Sequence, residues 1–337
     1  MKGALLVNLG SPNSTSTKDV KNYLGEFLMD KRVIDIPYLL RAFLVKGIIL
    51  NTRPKKSAAA YQKIWWDEGS PLIVLSKRLH KKVQENTNIP VELAMRYGNP
   101  SMKNGIQKLA EQGVDEILLI PLYPQFAMAT TETIEVLAKE IIAKYFPNIK
   151  LKMVPAFYNK ADYIEVLSES IQNELTKLQP EHLLFSYHGV PERHIKKSDI
   201  TSSHCKIDGS CCNTPSAAHE FCYRHQCYQT TKNVAEKLNL KEGTFSNSFQ
   251  SRLGKDPWLQ PYTDQTIDNF AINGLKKLAV VTPAFVSDCL ETLEEIGMEA
   301  KHSFKENGGA EFNMIPCLND NDNWAKTLSV WIDDWAK

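Results

Sequence analysis

Short apolar runs alternate with longer stretches of helical periodicity through most of the chain. ALLVNL (4–9), VELAM (91–95), EILLIPL (116–122), KLKMVPAF (150–157), HLLFSY (182–187), TFSNSF (244–249) and KLAVVTPAF (277–285) read as strands. The stretches between them carry the spacing of amphipathic helices. This alternation predicts an α/β protein whose parallel sheets are wound on both faces by helices. At 337 residues the chain exceeds what one core usually organises, so two domains are expected, at 1–155 and 156–337. A weak internal repeat supports two similar, doubly wound, Rossmann-like units. ILLIPLYPQFAMATTETIEVL and LAVVTPAFVSDCLETLEEI share a buried strand, a proline-containing loop and a helix opening around Glu-Thr, which makes Glu132 and Glu291 equivalent.

Uncommon polar residues gather just after the expected strands: Asn8 and Gly10, Arg96 and Tyr97, Tyr123 and Gln125, His188, Gln250 to Arg252, and Ser287 to Glu291. Open parallel sheets bind ligands outside the carboxyl ends of their strands. The expectation is therefore an active cleft between the two domains. The first strand runs into NLGSP rather than GxGxxG, and no Walker-type glycine loop occurs, so nucleotide binding loses its main support.

Charge narrows the partners. With 40 Lys and Arg against 39 Asp and Glu, the net charge of +1 gives no field to attract nucleic acid. The opening MKGALLVNLGSP is unlike a secretory signal, and the chain is expected to be cytoplasmic. No run approaches 18 apolar residues. IPYLLRAFLVKGIIL (36–50), with Arg41 and Lys46 along it, suits either an interfacial helix, peripheral at the inner face of a membrane, or a core helix.

Three elements carry chemistry. In CKIDGSCCNTPSAAHEFCYRHQC, five of the seven cysteines (Cys205, Cys211, Cys212, Cys222 and Cys227) lie among His204, His219 and His225, a soft-metal ligand set. In a reducing compartment this argues for metal or free thiols rather than disulfides. SYHGVPERH holds His188 at a strand end, either as a proton acceptor or metal ligand, or as a hydrogen-bonded structural histidine. In SDCLETLEEIGMEA, Asp288, Glu291 and Glu295 form a line of carboxylates on one helical face. They could relay protons or guide a divalent cation, or Asp288 and Glu291 could form a capping box.

Taken together, the motifs NLGSP, RPKKSAAAYQKIW, EGSPL, MRYGNP, PLYPQF, FSYHGVP, FQSRLGKDPWLQPYTD and SDCLETLEEI, in this order, resemble ferrochelatase over nearly the whole chain. The resemblance implies insertion of ferrous iron into protoporphyrin IX to form haem b. It makes His188 the active-site histidine, Glu291 the active-site glutamate, and Glu295 the next carboxylate of an acidic path, with Asp288 a further relay. Arg53, Tyr61, Ser70, Arg96 and Tyr97 resemble residues that line the porphyrin pocket or bind propionates. Leu9, Tyr123 and Trp258 add apolar and aromatic wall near the motifs, as a large planar ligand with edge carboxylates requires. Coproporphyrin III as substrate, or a non-catalytic haem or iron–sulfur sensor, are the alternatives. Cys289 stands where many eukaryotic relatives have histidine.

By the same resemblance residues 195–230 are an insertion, and some ferrochelatases hold a [2Fe-2S] cluster on cysteines. Cys205, Cys212, Cys222 and Cys227 are the expected ligands, Cys211 the substitute, and zinc the rival metal. Contact with the preceding haem-pathway enzyme is a further expectation.

Overall fold

The computed structural model describes residues 1–252, 254 and 256–337. Leu253 and Lys255, inside the FQSRLGKDPWLQPYTD motif, lie outside the described residues. The chain forms two compact units: Met1–Leu122 with Met128–Pro155 and Asn319–Lys337, and Tyr123–Ala127 with Ala156–Leu318. Residues 319–337, which sequence length alone assigned to the second half, belong to the first unit. The helix Asp322–Ala336 starts on an Asn321 cap, whose Oδ1 accepts from the Asn323 and Trp324 N–H groups, and Ser329 Oγ donates to the Val83 carbonyl at 3.2 Å.

Each unit is built on a four-stranded sheet. In the first, β1 (Lys2–Asn8), β2 (Val91–Met95), β3 (Glu116–Pro121) and β4 (Lys150–Met153) lie in the order β2-β1-β3-β4. In the second, β5 (His182–His188), β6 (Phe245–Gln250), β7 (Lys277–Val281) and β8 (Glu311–Met314) take the order β6-β5-β7-β8. All pairings are parallel. The central strands are buried on both faces, as a parallel sheet covered by helices demands: Leu5, Leu6, Leu119, Ile120, Leu184 and Phe185 are wholly buried. Burying a Leu or Ile side chain contributes roughly 1.5–3 kcal/mol, so these strands anchor the two cores.

The strand order sets where chemistry can sit. The chain leaves β5 toward β6 on one side and β7 on the other, which makes the carboxyl ends of β5 and β7 a topological switch point. The same holds for β1 and β3. A π-helix follows the strand in both units, Met128–Glu132 after β3 and Glu291–Ala300 after β7. π-Turns of this kind are rare and concentrate at functional sites.

Candidate active site

His188 is the last residue of β5, at the switch point of the second unit. Gly189 must follow it, because a Cβ there would lie 3.0 Å from the Gln250 carbonyl oxygen, 3.1 Å from that of Ser251 and 3.3 Å from the Trp258 ring. Only glycine lets the chain pass so close to backbone. The imidazole Nδ1 lies 2.6 Å from the Gly189 carbonyl oxygen. A carbonyl can only accept, so Nδ1 carries the hydrogen, and Nε2 of the neutral ring keeps its lone pair. Trp258 and Phe285 border the ring, with centroids 6.4 and 6.2 Å away. Trp258 is held there by main-chain bonds that pair the two loops: Leu259 N–H to the Val190 carbonyl at 3.1 Å, and Glu192 N–H to the Pro257 carbonyl at 3.0 Å.

The acidic segment after β7 departs from the expected α-helix. Asp288 is buried, and its Oδ1 accepts from Thr292 Oγ1 at 2.9 Å and from the Cys317 N–H at 3.4 Å. The turn begins instead as a π-helix at Glu291, without a side-chain cap. Glu295 accepts from both the N–H and the hydroxyl of Ser251, at 2.9 and 2.5 Å. Ser251 takes a left-handed backbone at φ 58° to do so, a strained conformation of the kind that collects at functional sites. Burial pushes the Glu295 carboxyl up and the Glu291 charge adds to this, while the Ser251 hydrogen bonds and His188 pull it back. His188 and Glu291 thus both act on Glu295 within the second unit. Gln250, which sequence pattern marked only as a polar strand end, ties the two arms: it pairs with His188 in register, and its Nε2 donates to the Glu291 carbonyl at 2.8 Å. Cys289 is wholly buried, and its thiol is pushed up by burial first and by Glu291 next, so it stands as a neutral side chain.

The residues expected from the sequence to line a porphyrin wall fall in both units. Tyr123 and Trp258 lie in the second, and Leu9, Arg53, Tyr61, Ser70, Arg96 and Tyr97 in the first. Leu9 and Arg53 are at least partly exposed; Ser70 is buried at the start of the helix Pro71–Glu85, and Tyr61 packs edge-on against Trp65. Tyr97 is fully buried, with its hydroxyl on Asp30 Oδ2 at 3.0 Å and its ring against Phe27. The guanidinium of Arg96 stacks 4.3 Å from the Tyr97 centroid and binds Asp30 and Thr133. Its charge is matched from within the protein. The NLGSP motif has a structural role too, since Gly10, at φ +112°, passes against the Tyr97 carbonyl, and Tyr97 N–H donates to the Leu9 carbonyl at 2.8 Å.

The cysteine segment lies in the second unit, in short 3-10 turns and the start of the helix Tyr223–Lys237. Cys222 neighbours Cys205, Cys211, Cys212 and Cys227. The donor set suits a soft metal, and its surroundings suit thiolate. The buried guanidinium of Arg224 donates to Cys212 Sγ at 3.3 Å and Cys211 Sγ at 3.5 Å, and the Lys206 N–H to Cys211 Sγ at 3.2 Å. As packed, however, no three His, Cys, Asp or Glu side chains among the described residues converge to hold a metal ion. Burial nevertheless pushes up the thiols of Cys205, Cys212, Cys222 and Cys227, Cys212 to about 11. A metal would have to displace those protons.

Two four-stranded parallel sheets of one strand order are the fold of solved chelatases. SirB from Bacillus subtilis with Fe3+ has this fold at a TM-score of 0.53 and 10% identity, covering 98% of this chain and 94% of that one. The sirohydrochlorin chelatase SirB from Bacillus subtilis subspecies spizizenii, in complex with cobalt, matches at 0.51 and 11%, over 98% and 94%. At such identities the likeness concerns the fold alone. The ferrochelatase family profile matches residues 1–334. Ferrochelatase of Pseudomonas syringae pv. tomato is 49% identical over 96% of this chain and 95% of its own, and that of Pseudomonas fluorescens Pf0-1 is 49% identical over 97% and 96%. The chain belongs to the ferrochelatase family, enzymes that insert iron into porphyrin in haem biosynthesis.

Proposed function

We propose that this ferrochelatase metallates protoporphyrin IX, with His188 taking pyrrole protons and Glu291 and Glu295 forming the acidic side of the site. The observation that carries the reading is the Nδ1 contact with the Gly189 carbonyl, which reserves Nε2 as acceptor. Metallation exchanges two pyrrole N–H protons for one Fe2+. Nε2 receives a proton, and the carboxylates beside it, one of them pushed toward protonation by burial, pass protons away or guide the incoming cation. A positioned general base contributes about 10²–10⁴-fold, so His188→Ala is expected to lower kcat by that amount, and Glu291→Gln comparably. If both kept near-normal iron insertion, the assignment would fail. Competition between protoporphyrin IX and coproporphyrin III with ferrous iron tests the substrate. A preference for coproporphyrin, or haem binding without turnover, would replace the reading.

The cysteine segment is proposed to take a [2Fe-2S] cluster on Cys205, Cys212, Cys222 and Cys227, supported by the grouping of thiols around Cys222 and the cation of Arg224. When bound, the cluster would supply one-electron chemistry and local order. Brown, sulfide-containing protein that loses its colour in Cys222→Ser supports this; colourless protein with one zinc supports the rival metal.

A peripheral lipid contact is supported by the segment 36–50. Arg41 turns inward, donating to the Ile34 and Ile36 carbonyls at 3.1 and 2.9 Å, while Leu39 and Phe43 are 79% and 69% exposed. No helix among the described residues is long and apolar enough to cross a membrane.

A further inference from the structure

The imidazole of His188 is oriented by the Gly189 carbonyl, and the peptide just before that carbonyl is held by other residues. Its Nδ1 is fixed on the Gly189 carbonyl at 2.6 Å, so the position of Gly189 sets the ring. The peptide joining His188 to Gly189 is gripped at both ends. Its N–H donates to the Gln250 carbonyl at 2.6 Å, a bond between neighbouring chain segments at the end of β5 and β6. Its carbonyl accepts from Tyr223 Oη at 2.8 Å, a side chain reaching in from 35 residues away. Gln250 belongs to the sheet, but Tyr223 belongs to the cysteine segment. It directly follows Cys222, opens the helix Tyr223–Lys237, and lies one turn before Cys227 on the same helical face. It is 6% exposed, so water cannot readily replace its hydroxyl.

We propose that Tyr223 is a positioning residue for the reaction: delivered by the cysteine segment, its hydroxyl fixes the His188–Gly189 peptide and thereby aims Nε2 of His188 at the porphyrin. Without it the peptide keeps, among the described residues, the bond to Gln250, and rotation about its flanking bonds carries the Gly189 carbonyl away from Nδ1. The ring then loses both its angle and its single tautomer. Misplacement of a reacting group by about 1 Å can cost on the order of 100-fold in rate. The inference rests on the reading of His188 as proton acceptor.

The test is Tyr223→Phe in the full chain, which keeps the ring and removes only the hydroxyl, measured beside His188→Ala. Initial rates with protoporphyrin IX and ferrous iron should show kcat lowered about 10-fold with porphyrin KM within about twofold, because the defect lies in aim rather than in binding. Nitrogen-15 NMR of labelled histidine should report the Nδ1–H tautomer of His188 in the parent and a tautomer mixture in Y223F, a signature that loss of stability alone does not produce. If His188→Ala is crippled while Y223F keeps kcat within twofold and the same tautomer, the proposal is overturned. A rise in KM with kcat unchanged overturns it as well. Near-normal activity in His188→Ala sinks the underlying reading instead.

Discussion

Removing the carboxylate of Asp30 should damage the first unit more than removing Asp30 together with Arg96. Both Asp30 oxygens are in use: Oδ1 accepts from the Arg32 N–H at 2.8 Å, and Oδ2 from Arg96, Thr133 and the Tyr97 hydroxyl, the last at 3.0 Å. The side chains of Asp30 and Arg96 are only 6% and 13% exposed. Asp30→Ala strands a nearly buried guanidinium, a defect of about 3–5 kcal/mol. At about 2–4 °C per kcal/mol for a unit of this size, the melting temperature should fall by roughly 6–20 °C. Asp30→Asn keeps the shape and loses the charge-assisted bonds, at about 1.5–3 kcal/mol. The double variant Asp30→Ala/Arg96→Leu should recover part of the loss, since no charge is then left alone. Burial raises the Asp30 carboxyl, but the bonds from Thr133 and Arg32 and the Arg96 charge outweigh it, and the group is lowered overall. A lowered acid stabilises above its unfolded pKa, about 3.9, and that contribution fades as pH falls, so parent and variant should converge toward acid. The assay is thermal melting at neutral and acid pH with iron insertion in parallel. A single variant melting within 2 °C of the parent at pH 7, or a double variant worse than Asp30→Ala, would refute the reasoning.

Three other outcomes are expected. Glu295 is raised by burial, so its contribution to stability is present below its unfolded pKa and lost as pH rises; Glu295→Gln should flatten the decline in melting temperature as pH rises above the ordinary glutamate value of about 4.3, and superimposable slopes would count against the coupling. Gly189→Ala forces a methyl to within 3.0–3.1 Å of two carbonyl oxygens and should cost about 1–3 kcal/mol with a fall in kcat, whereas unchanged melting and turnover would contradict the close approach. Replacing Leu39 and Phe43 by Asp should abolish co-sedimentation with anionic phospholipid vesicles while leaving melting unchanged, because both side chains are exposed; vesicle binding that persists removes the lipid reading.

The parallel sheets and the places of His188 and the acidic turn were legible because buried strands announce themselves as apolar runs and chemistry gathers at their carboxyl ends. The strand β8, EFNM, escaped notice: four residues with Glu311 exposed and Asn313 half-buried carry no such run. Asp30 escaped for another reason. It sits in MDKR with no periodic signal, and its partners Arg96 and Thr133 come from 66 and 103 residues away. The bond from Tyr97 to Asp30 was likewise illegible, because a strand-end tyrosine looks the same in sequence whether it faces a ligand or an internal carboxylate. The π-turn at Glu291 could not be read from spacing, since Asp288, Glu291 and Glu295 suit an α-helical face equally well.

The shared strand order gives this chain an internal control. β1 and β5 are both seven residues long and central in their sheets, so Asn8 ends its strand where His188 ends the other. Asn8 spends its side chain on Ser76 and on the next N–H, and Glu132, the repeat partner of Glu291, is neutralised by Arg32. Asn8 and Glu132 thus spend their polar groups on partners within the protein, while the matching strand end of the second unit carries His188. Comparing the two frames within a single polypeptide separates what the architecture imposes from what selection for metal insertion added.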